Sequence, residues 1–392
     1  MITGVSSPAL KMGCKVLVLS PGVSRDHPIV AAARRNGSEI VGDIELFARH
    51  ATATVVAVTG SNGKSTVVTM VEEILRGANL NIRCGGNLGT PALDLLDEGQ
   101  IDCFVLELSS FQLESTETLA PSVACILNVS PDHMDRYEDF AAYIAAKKRI
   151  YKHAECVVLN ADDVVLGELD PPCETQFISL DENSAAAYRI GNYNSGLWLV
   201  TGGEKLMPIS ELGVRGEHNA MNALAALAIT DKMCVSRSVQ KRVLADFRGL
   251  PHRCQTVANR DGVEWIDDSK GTNVGATSAA IRGVFSERTG ILIAGGRGKG
   301  ADFGVLATDT RGRVHSVILI GEDAKKIAAS LDGHLNVYFA LNMDAAAALA
   351  ATLAKSGEAV LLSPACASFD MFENFEARGR AFADAVSGLS SP

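Results

Sequence analysis

The sequence predicts an α/β protein built on parallel sheets. Two observations carry this. Continuous apolar runs such as VVAVTG at 55–60, CFVLELSS at 103–110 and ACILNVSPDH at 124–133 recur, each followed by a polar turn. Runs of this kind mark strands covered on both faces, because a half-exposed strand alternates instead. A second set then follows Gly249-Leu250-Pro251: VEWIDDSKGTN, ILIAGGRGKGADF, VILIGED and AVLLSPACASFD. Each of these strands ends in Gly, Ser, Asp or Lys before passing into a helix. Loops at the carboxyl ends of such strands build ligand crevices.

The remaining elements fit around these runs. Residues 16–19 (VLVL) predict a short strand, followed by Ser20-Pro21-Gly22 and a helical stretch near His27–Asn36. Between about Phe177 and Val214 the pattern shifts toward alternation (FISL, YRIGNY, LWLVTGG), which predicts a small antiparallel patch. A helix is expected from Asn219 to about Asp231. No internal repeat or low-complexity tract is evident.

Composition narrows the function. With 47% hydrophobic residues over 392 positions, the chain has material for two or three domain cores. Its apolar runs are too short and interrupted to span a membrane, and the start shows no charged leader with an apolar core. A net charge of −10 disfavours non-specific contact with nucleic acid or anionic lipid. Nine scattered cysteines without a C-x-x-C pair suit unpaired thiols in a reducing cytoplasm.

The segment VVAVTGSNGKST holds the clearest chemistry. Gly60 and Gly63 let backbone N–H groups approach phosphate oxygens at a helix start, with Ser61 and Asn62 between them. Lys64 would neutralise the β/γ charge, Ser65 would sit on magnesium, and Thr66 follows. Only the short form G-x-x-G-K-[ST] is present, since position 58 is Val, so an ordinary strand–helix turn with an exposed lysine stays open. Glu107, ending the next apolar run, is placed for a magnesium ligand or for capping a helix at Ser109-Ser110. Asp132, His133 and Asp135 cluster after the third run. Lys147, in AAYIAAKKRIYKHA, reads from pattern alone as a solvated helix lysine.

Taken in order, TGSNGKST, GGNLGTPAL, VLELSSFQLE, NVSPDHMDRY, AAKKRIY, HNAMNALAA, LPHR, DDSKGTNVGAT, GGRGKGADF and LLSPACASFDMFENFEARG resemble the Mur ligases over nearly the whole chain. GDIELF at 42–47 and SFDMFENFEARG at 368–379 resemble the D-glutamate-adding branch, and the Asp-Asn-Pro-Arg box of the diaminopimelate- or lysine-adding relatives is absent.

The resemblance implies a three-domain architecture. Residues 1–43 would be a truncated Rossmann-like remnant of the UDP-substrate domain, 44–249 a central P-loop ATPase-type sheet, and 250–392 a Rossmann-like domain for the incoming amino acid. It also implies ATP, two magnesium sites and a cytoplasmic monomer that joins UDP-N-acetylmuramoyl-L-alanine to D-glutamate through an acyl phosphate. Residue by residue, Lys64 and Ser65 hold the triphosphate and its magnesium, and Glu107 ligates that metal. His133 reaches the second metal, Lys147 is carbamylated and ligates metal, and Asn219, Asn222, Arg253 and Asp268 contact nucleotide. Lys270, Thr272, Lys299, Ser368 and Phe375 receive D-glutamate, and Ser20 and Asn87 face the UDP-sugar. Cys366 is read as packing, because the acyl-phosphate route needs no covalent enzyme intermediate.

Three further expectations follow. The family's opening strand and glycine-rich turn have no counterpart here, so VLVL is expected to be an edge strand without its further neighbours, exposing apolar surface and unpaired backbone groups, and a start codon further upstream is expected. The 392-residue chain would then bind the UDP-substrate weakly. The rival readings are a Mur-type ligase adding another amino acid, and a nucleotide-binding protein without catalysis.

Overall fold

The structure is a computed structural model that describes residues 14–87, 89–96, 99–134, 136–193, 196–214, 216–331, 333 and 335–389. Its chain forms two compact units. The first comprises Met1–Val129, Arg136–Gly213 and Asn219–Phe247; the second comprises Ser130–Asp135, Val214–His218 and Arg248–Pro392.

In the first unit, β1 (Val16–Leu19) pairs in parallel with β2 (Glu39–Gly42) around the helix Pro28–Arg35. The VLVL strand lies at a sheet edge, as expected, paired on one side within a two-stranded sheet. Val16 and Val18, two residues apart and so on one face, are 45% and 55% exposed.

A nine-stranded sheet follows. Its strands are β3 (Thr54–Thr59), β4 (Ile82–Gly86), β5 (Cys103–Glu107), β6 (Val123–Ile126), β7 (Cys156–Asn160), β8 (Glu174–Ser179), β9 (Tyr188–Tyr193), β10 (Gly196–Thr201) and β11 (Glu204–Pro208). They lie in the order β11-β10-β9-β8-β7-β6-β3-β5-β4. The strands β3, β5, β6 and β7 are buried along most of their length, which is why their sequences read as unbroken apolar runs. FISL was expected in the antiparallel patch but lies in β8, which is parallel to both β7 and β9. Only β9, β10 and β11 form the antiparallel meander. The mistake has a physical source: β8 is exposed at Glu174 and half-buried over residues 175–177, so its apolar content thins as in an alternating strand.

The second unit has one six-stranded sheet. It contains β12 (Gln255–Arg260), β13 (Val263–Asp267), β14 (Gly290–Gly295), β15 (Val314–Ile320), β16 (Asn336–Phe339) and β17 (Ala359–Leu362), in the order β12-β13-β17-β14-β15-β16. All pairs except β12–β13 are parallel. Alternate residues feed two cores. Ile266, Leu292, Val317, Leu319 and Leu361 face one layer of helices, and Trp265, Ile291, Ile293, Ile318 and Val360 face the other. The carboxyl ends of β13, β14, β15 and β17 carry DDSKGTN, GGRGKG, GED and SPACASFD, so the polar loops emerge at one edge.

All nine cysteines are free thiols. Cys366 is fully buried in a core layer, and burial pushes its thiol up to about 12, in keeping with a packing role. No helix among the described residues is long and apolar enough to cross a membrane.

Candidate functional site

In the first unit, the buried strand β3 delivers the loop Gly60–Gly63 to the helix Lys64–Gly77. Gly63 occupies the helix N-cap at φ 81°, a left-handed conformation that costs an L side chain energy. A Cβ there would also meet Asn222 Oδ1 at 2.6 Å, so the loop is packed directly against the helix Glu217–Lys232. Asn222 is buried and donates to Asn219 Oδ1 at 3.3 Å, which places both predicted asparagines beside the loop.

The side chains around the loop converge on one carbonyl. Lys64 Nζ donates to Gly60 O at 2.8 Å and to Ser61 O at 3.0 Å. Lys147 Nζ donates to the same Gly60 O at 2.9 Å and lies 4.6 Å from the Tyr143 ring centre. At 2% exposure, Lys147 is not a solvated helix lysine. Ser65 and Thr66 are buried in the first helical turn.

Glu107 is 3% exposed at the end of β5, and its Cα pairs with Val58 of β3. Asn87 Nδ2 donates to its Oε1 at 2.8 Å, while Oε2 is buried with no hydrogen-bond partner. The alternative reading of Glu107 as a helix cap fails, since Ser109 caps Ser110–Glu114 in a reciprocal box with Gln112. A buried carboxylate oxygen without a partner is costly unless a cation meets it, so Glu107 fits a magnesium ligand. Among the described residues no three His, Cys, Asp or Glu side chains form a ready-made metal cage. Magnesium typically keeps few protein ligands and takes the rest from phosphate and water, so one carboxylate and the Ser65 hydroxyl suit it.

Two loop-holding residues escaped the sequence reading. Asn128 accepts from Asn62 N at 2.8 Å, donates back to Asn62 O at 3.1 Å, and accepts at its own carbonyl from Ser61 N at 3.0 Å. Tyr143 Oη meets Ser61 Oγ at 3.0 Å. Nothing in an asparagine after an apolar run announces this clasp, although Tyr143 sits one helical turn before Lys147 and so shares its face. Ser20, the residue expected to face the UDP-sugar, is exposed just after β1, and its carbonyl accepts from Val23 N at 2.9 Å.

The second unit holds the remaining candidates. His133 is held at φ 57°, with its Nε2 3.7 Å from Asp132 Oδ2. Asp135 lies outside the described residues. Asp268 is buried; it accepts from Ser363 Oγ at 2.6 Å, and its carboxyl is pushed up to about 7, chiefly by burial. Arg253 lies on the half-buried turn before β12 and acts on Asp268 electrostatically.

Lys270 Nζ lies 3.8 Å from the centre of the Phe375 ring, which brings two predicted residues into contact. Thr272 follows on the same turn, and its N–H donates to Lys270 O at 2.7 Å. Ser368 is buried after β17, and Lys299 is held at φ 52° between Gly298 and Gly300. Arg378, unremarked in the sequence, ties two of these loops together. Its guanidinium is 1% exposed and donates to Ser269 Oγ, Ser269 O and Cys366 O at 2.9, 2.7 and 3.0 Å. Burial lowers it to about 10.

Comparison with known proteins gives consistent matches along most of the chain. Residues 58–230 match the Mur ligase middle domain and residues 252–366 match the Mur ligase, glutamate ligase domain. A protein of Nitrosococcus oceani named UDP-N-acetylmuramoylalanine--D-glutamate ligase is 48% identical over 384 residues, 98% of this chain and 85% of that protein. The ligase of the same name from Legionella pneumophila (strain Lens) is 46% identical over 379 residues, 95% of this chain and 85% of its own. The structure of MurF ligase from Thermotoga maritima in complex with ADP superposes with a TM-score of 0.68 at 18% identity, covering 96% of this chain and 95% of that one. A pseudomurein peptide ligase type C from Methanothermus fervidus gives 0.69 at 16% identity, covering 97% and 88%. With two family domains matched in order and relatives near half identity across almost its full length, the chain belongs to the Mur ligase family.

Proposed function

We propose that this chain is an ATP-dependent amide ligase that adds D-glutamate to UDP-N-acetylmuramoyl-L-alanine in peptidoglycan precursor synthesis. The observation that carries the reading is the convergence of Lys64 and Lys147 on the Gly60 carbonyl, within the sheet that also presents the half-satisfied Glu107. The family's three domains are read here as 1–43, 44–249 and 250–392.

A carboxylate is a poor electrophile, because displacing oxide from it is unfavourable. Its oxygen therefore attacks the γ-phosphorus of ATP and ADP departs. The amine of D-glutamate attacks the acyl carbon, inorganic phosphate leaves, and the amine proton passes to solvent. Two anions must meet in the first step, and the loop N–H groups with Lys64 offset their repulsion. Magnesium supplies Lewis-acid neutralisation of the triphosphate. Ser65 and Glu107 would hold one ion, and His133 with a carbamylated Lys147 the other. An ordinary lysine ammonium would repel a metal, whereas a carbamate offers it anionic oxygen. Asn219, Asn222, Arg253 and Asp268 bind nucleotide in this reading. Lys270, Thr272, Lys299, Ser368 and Phe375 bind D-glutamate, and Ser20 and Asn87 face the UDP-sugar. The enzyme works as a cytoplasmic monomer.

The test is phosphate release from ATP with UDP-N-acetylmuramoyl-L-alanine and D-glutamate, L-lysine or no amino acid. Release with D-glutamate alone, giving a product heavier by one glutamyl residue, supports the proposal. Release with L-lysine, or none with D-glutamate, overturns it.

A further inference from the structure

Three turns at the carboxyl ends of β14, β15 and β17 are closed into a ring by hydrogen bonds. Arg297 and Ala367 exchange both backbone bonds at 2.9 Å, linking the turn of Lys299 to that of Ser368. Asp323 Oδ2 accepts from Gly298 N at 2.7 Å and Asp323 N donates to Gly296 O at 3.0 Å, linking the Lys299 turn to the turn after β15. Asp370 Oδ2 accepts from Glu322 N at 2.8 Å, and this bond closes the ring.

The ring has no slack. A Cβ on Gly295 would meet Ile320 O at 1.9 Å, one on Gly296 would meet Ala367 O at 2.3 Å, and one on Gly321 would meet Asp370 Oδ2 at 2.4 Å. Each of the three joints is thus packed to contact. The other oxygen of Asp370, Oδ1, is enclosed without a hydrogen-bond partner, so the Glu322 link is what the carboxylate has to show for its place there.

We infer that Asp370 is a positioning residue that sets the separation of Lys299 and Ser368, and so fits the second unit to an acid with two carboxylates at the spacing of glutamate. The inference rests on the proposal that Lys299 and Ser368 receive D-glutamate. Lys299 lies two residues beyond the Arg297–Ala367 joint, Ser368 one residue beyond it and two before Asp370. The Ser368 carbonyl itself accepts from Met371 N and Phe372 N at 3.0 and 2.8 Å, so the turn that contains Asp370 also holds Ser368. If the ring opens at Asp370, the Ser368 turn is tied to its neighbours in the ring only upstream of Ser368 among the described residues, by the Arg297–Ala367 joint and by the Gly295 N–H that donates to Pro364 O at 2.8 Å.

The experiment uses the full chain with Asp370→Ala, Asp370→Asn, Gly321→Ala and Lys299→Ala. It measures KM for D-glutamate and for ATP, and the inhibition constant of glutarate, which keeps the carboxylate spacing and lacks the amine. Asp370→Ala should raise KM for D-glutamate and the glutarate constant together, by about tenfold, the effect of one hydrogen bond to a charged acceptor. KM for ATP should stay within about twofold, since a general loss of stability lowers active enzyme rather than shifting one KM. Asp370→Asn retains an acceptor for Glu322 N–H and should recover most of the loss, while Gly321→Ala should reproduce it.

Asp370→Ala with both glutamate-side constants unchanged, in a variant folded by circular dichroism, overturns the inference if Lys299→Ala still raises them. Asp370→Asn as impaired as Asp370→Ala also overturns it. Lys299→Ala without effect overturns the cradle assignment itself, and the inference with it.

Discussion

Replacing Gly63 by alanine puts the phosphate-loop argument at risk in one step. The residue sits at φ 81°, and holding an L side chain in the left-handed region costs about 1–2 kcal/mol. The new Cβ would lie 2.6 Å from Asn222 Oδ1 and 3.4 Å from Leu127 Cδ1. Asn222 must therefore move, disturbing a buried amide, which adds about 1–2 kcal/mol. The total of about 2–4 kcal/mol divides between two readouts. If the loop keeps its shape, the protein loses stability; if the loop relaxes, stability survives and nucleotide affinity falls by up to about 30- to 1,000-fold. Isothermal titration with a non-hydrolysable ATP analogue, alongside denaturant melts, measures both. Gly22→Ala is the control, because nothing lies within 4 Å of its added carbon. Wild-type affinity and wild-type stability together in Gly63→Ala would refute the claim that this backbone shape holds phosphate.

Lys64→Ala and Glu107→Ala should each lower kcat by about 100- to 1,000-fold, as expected for loss of an electrostatic stabiliser, and near-wild-type turnover in either removes that residue from the site. Lys147→Ala should be nearly inactive yet partly restored by small carboxylates such as formate or acetate entering the vacated space, and full activity without additives would dispose of the carbamate. Asp268 gives a pH prediction. Its folded carboxyl is raised to about 7 from an ordinary 3.8, so the folded chain holds the proton more tightly than the unfolded chain. The unfolded state loses its proton first, so the stability contribution falls as pH rises from about 4 to 7 and is level above that. Asp268→Asn should therefore gain stability relative to wild type at pH 8 compared with pH 5, by a few kcal/mol at most, at about 1.4 kcal/mol for each pH unit crossed in that window. Parallel stability–pH curves for the two proteins would refute this.

Much of the fold could be read from sequence because burial on both faces writes itself as continuous apolar runs, as in β3, β5 and β6. The phosphate loop could be read because its geometry demands glycines at fixed spacing. Lys147 could not: one lysine near the end of a nine-residue helix carries no mark of the 2% exposure that the Gly60 and Tyr143 contacts impose. Asn128 was missed for a similar reason, since its clasp on Asn62 joins positions 66 residues apart. Asp268 shows the converse limit. Sequence resemblance assigns it to nucleotide, while the structure also engages it inward through Ser363.

The strand order has a consequence for how the chain acquires its nucleotide site. β3 lies between β5 and β6, so the strand that carries the loop cannot be paired on both sides until residues 103–107 and 123–126 have been made. The loop needs still more, since Asn128 must arrive before Asn62 is clasped. Long-range parallel pairing of this kind forms slowly, because the chain must close its loops before the contacts compensate. A ribosome-bound fragment ending before residue 128 should thus fail to retain an ATP analogue, and capture should begin only well after that point has left the tunnel. Nucleotide capture would then date the moment at which this sheet closes during synthesis.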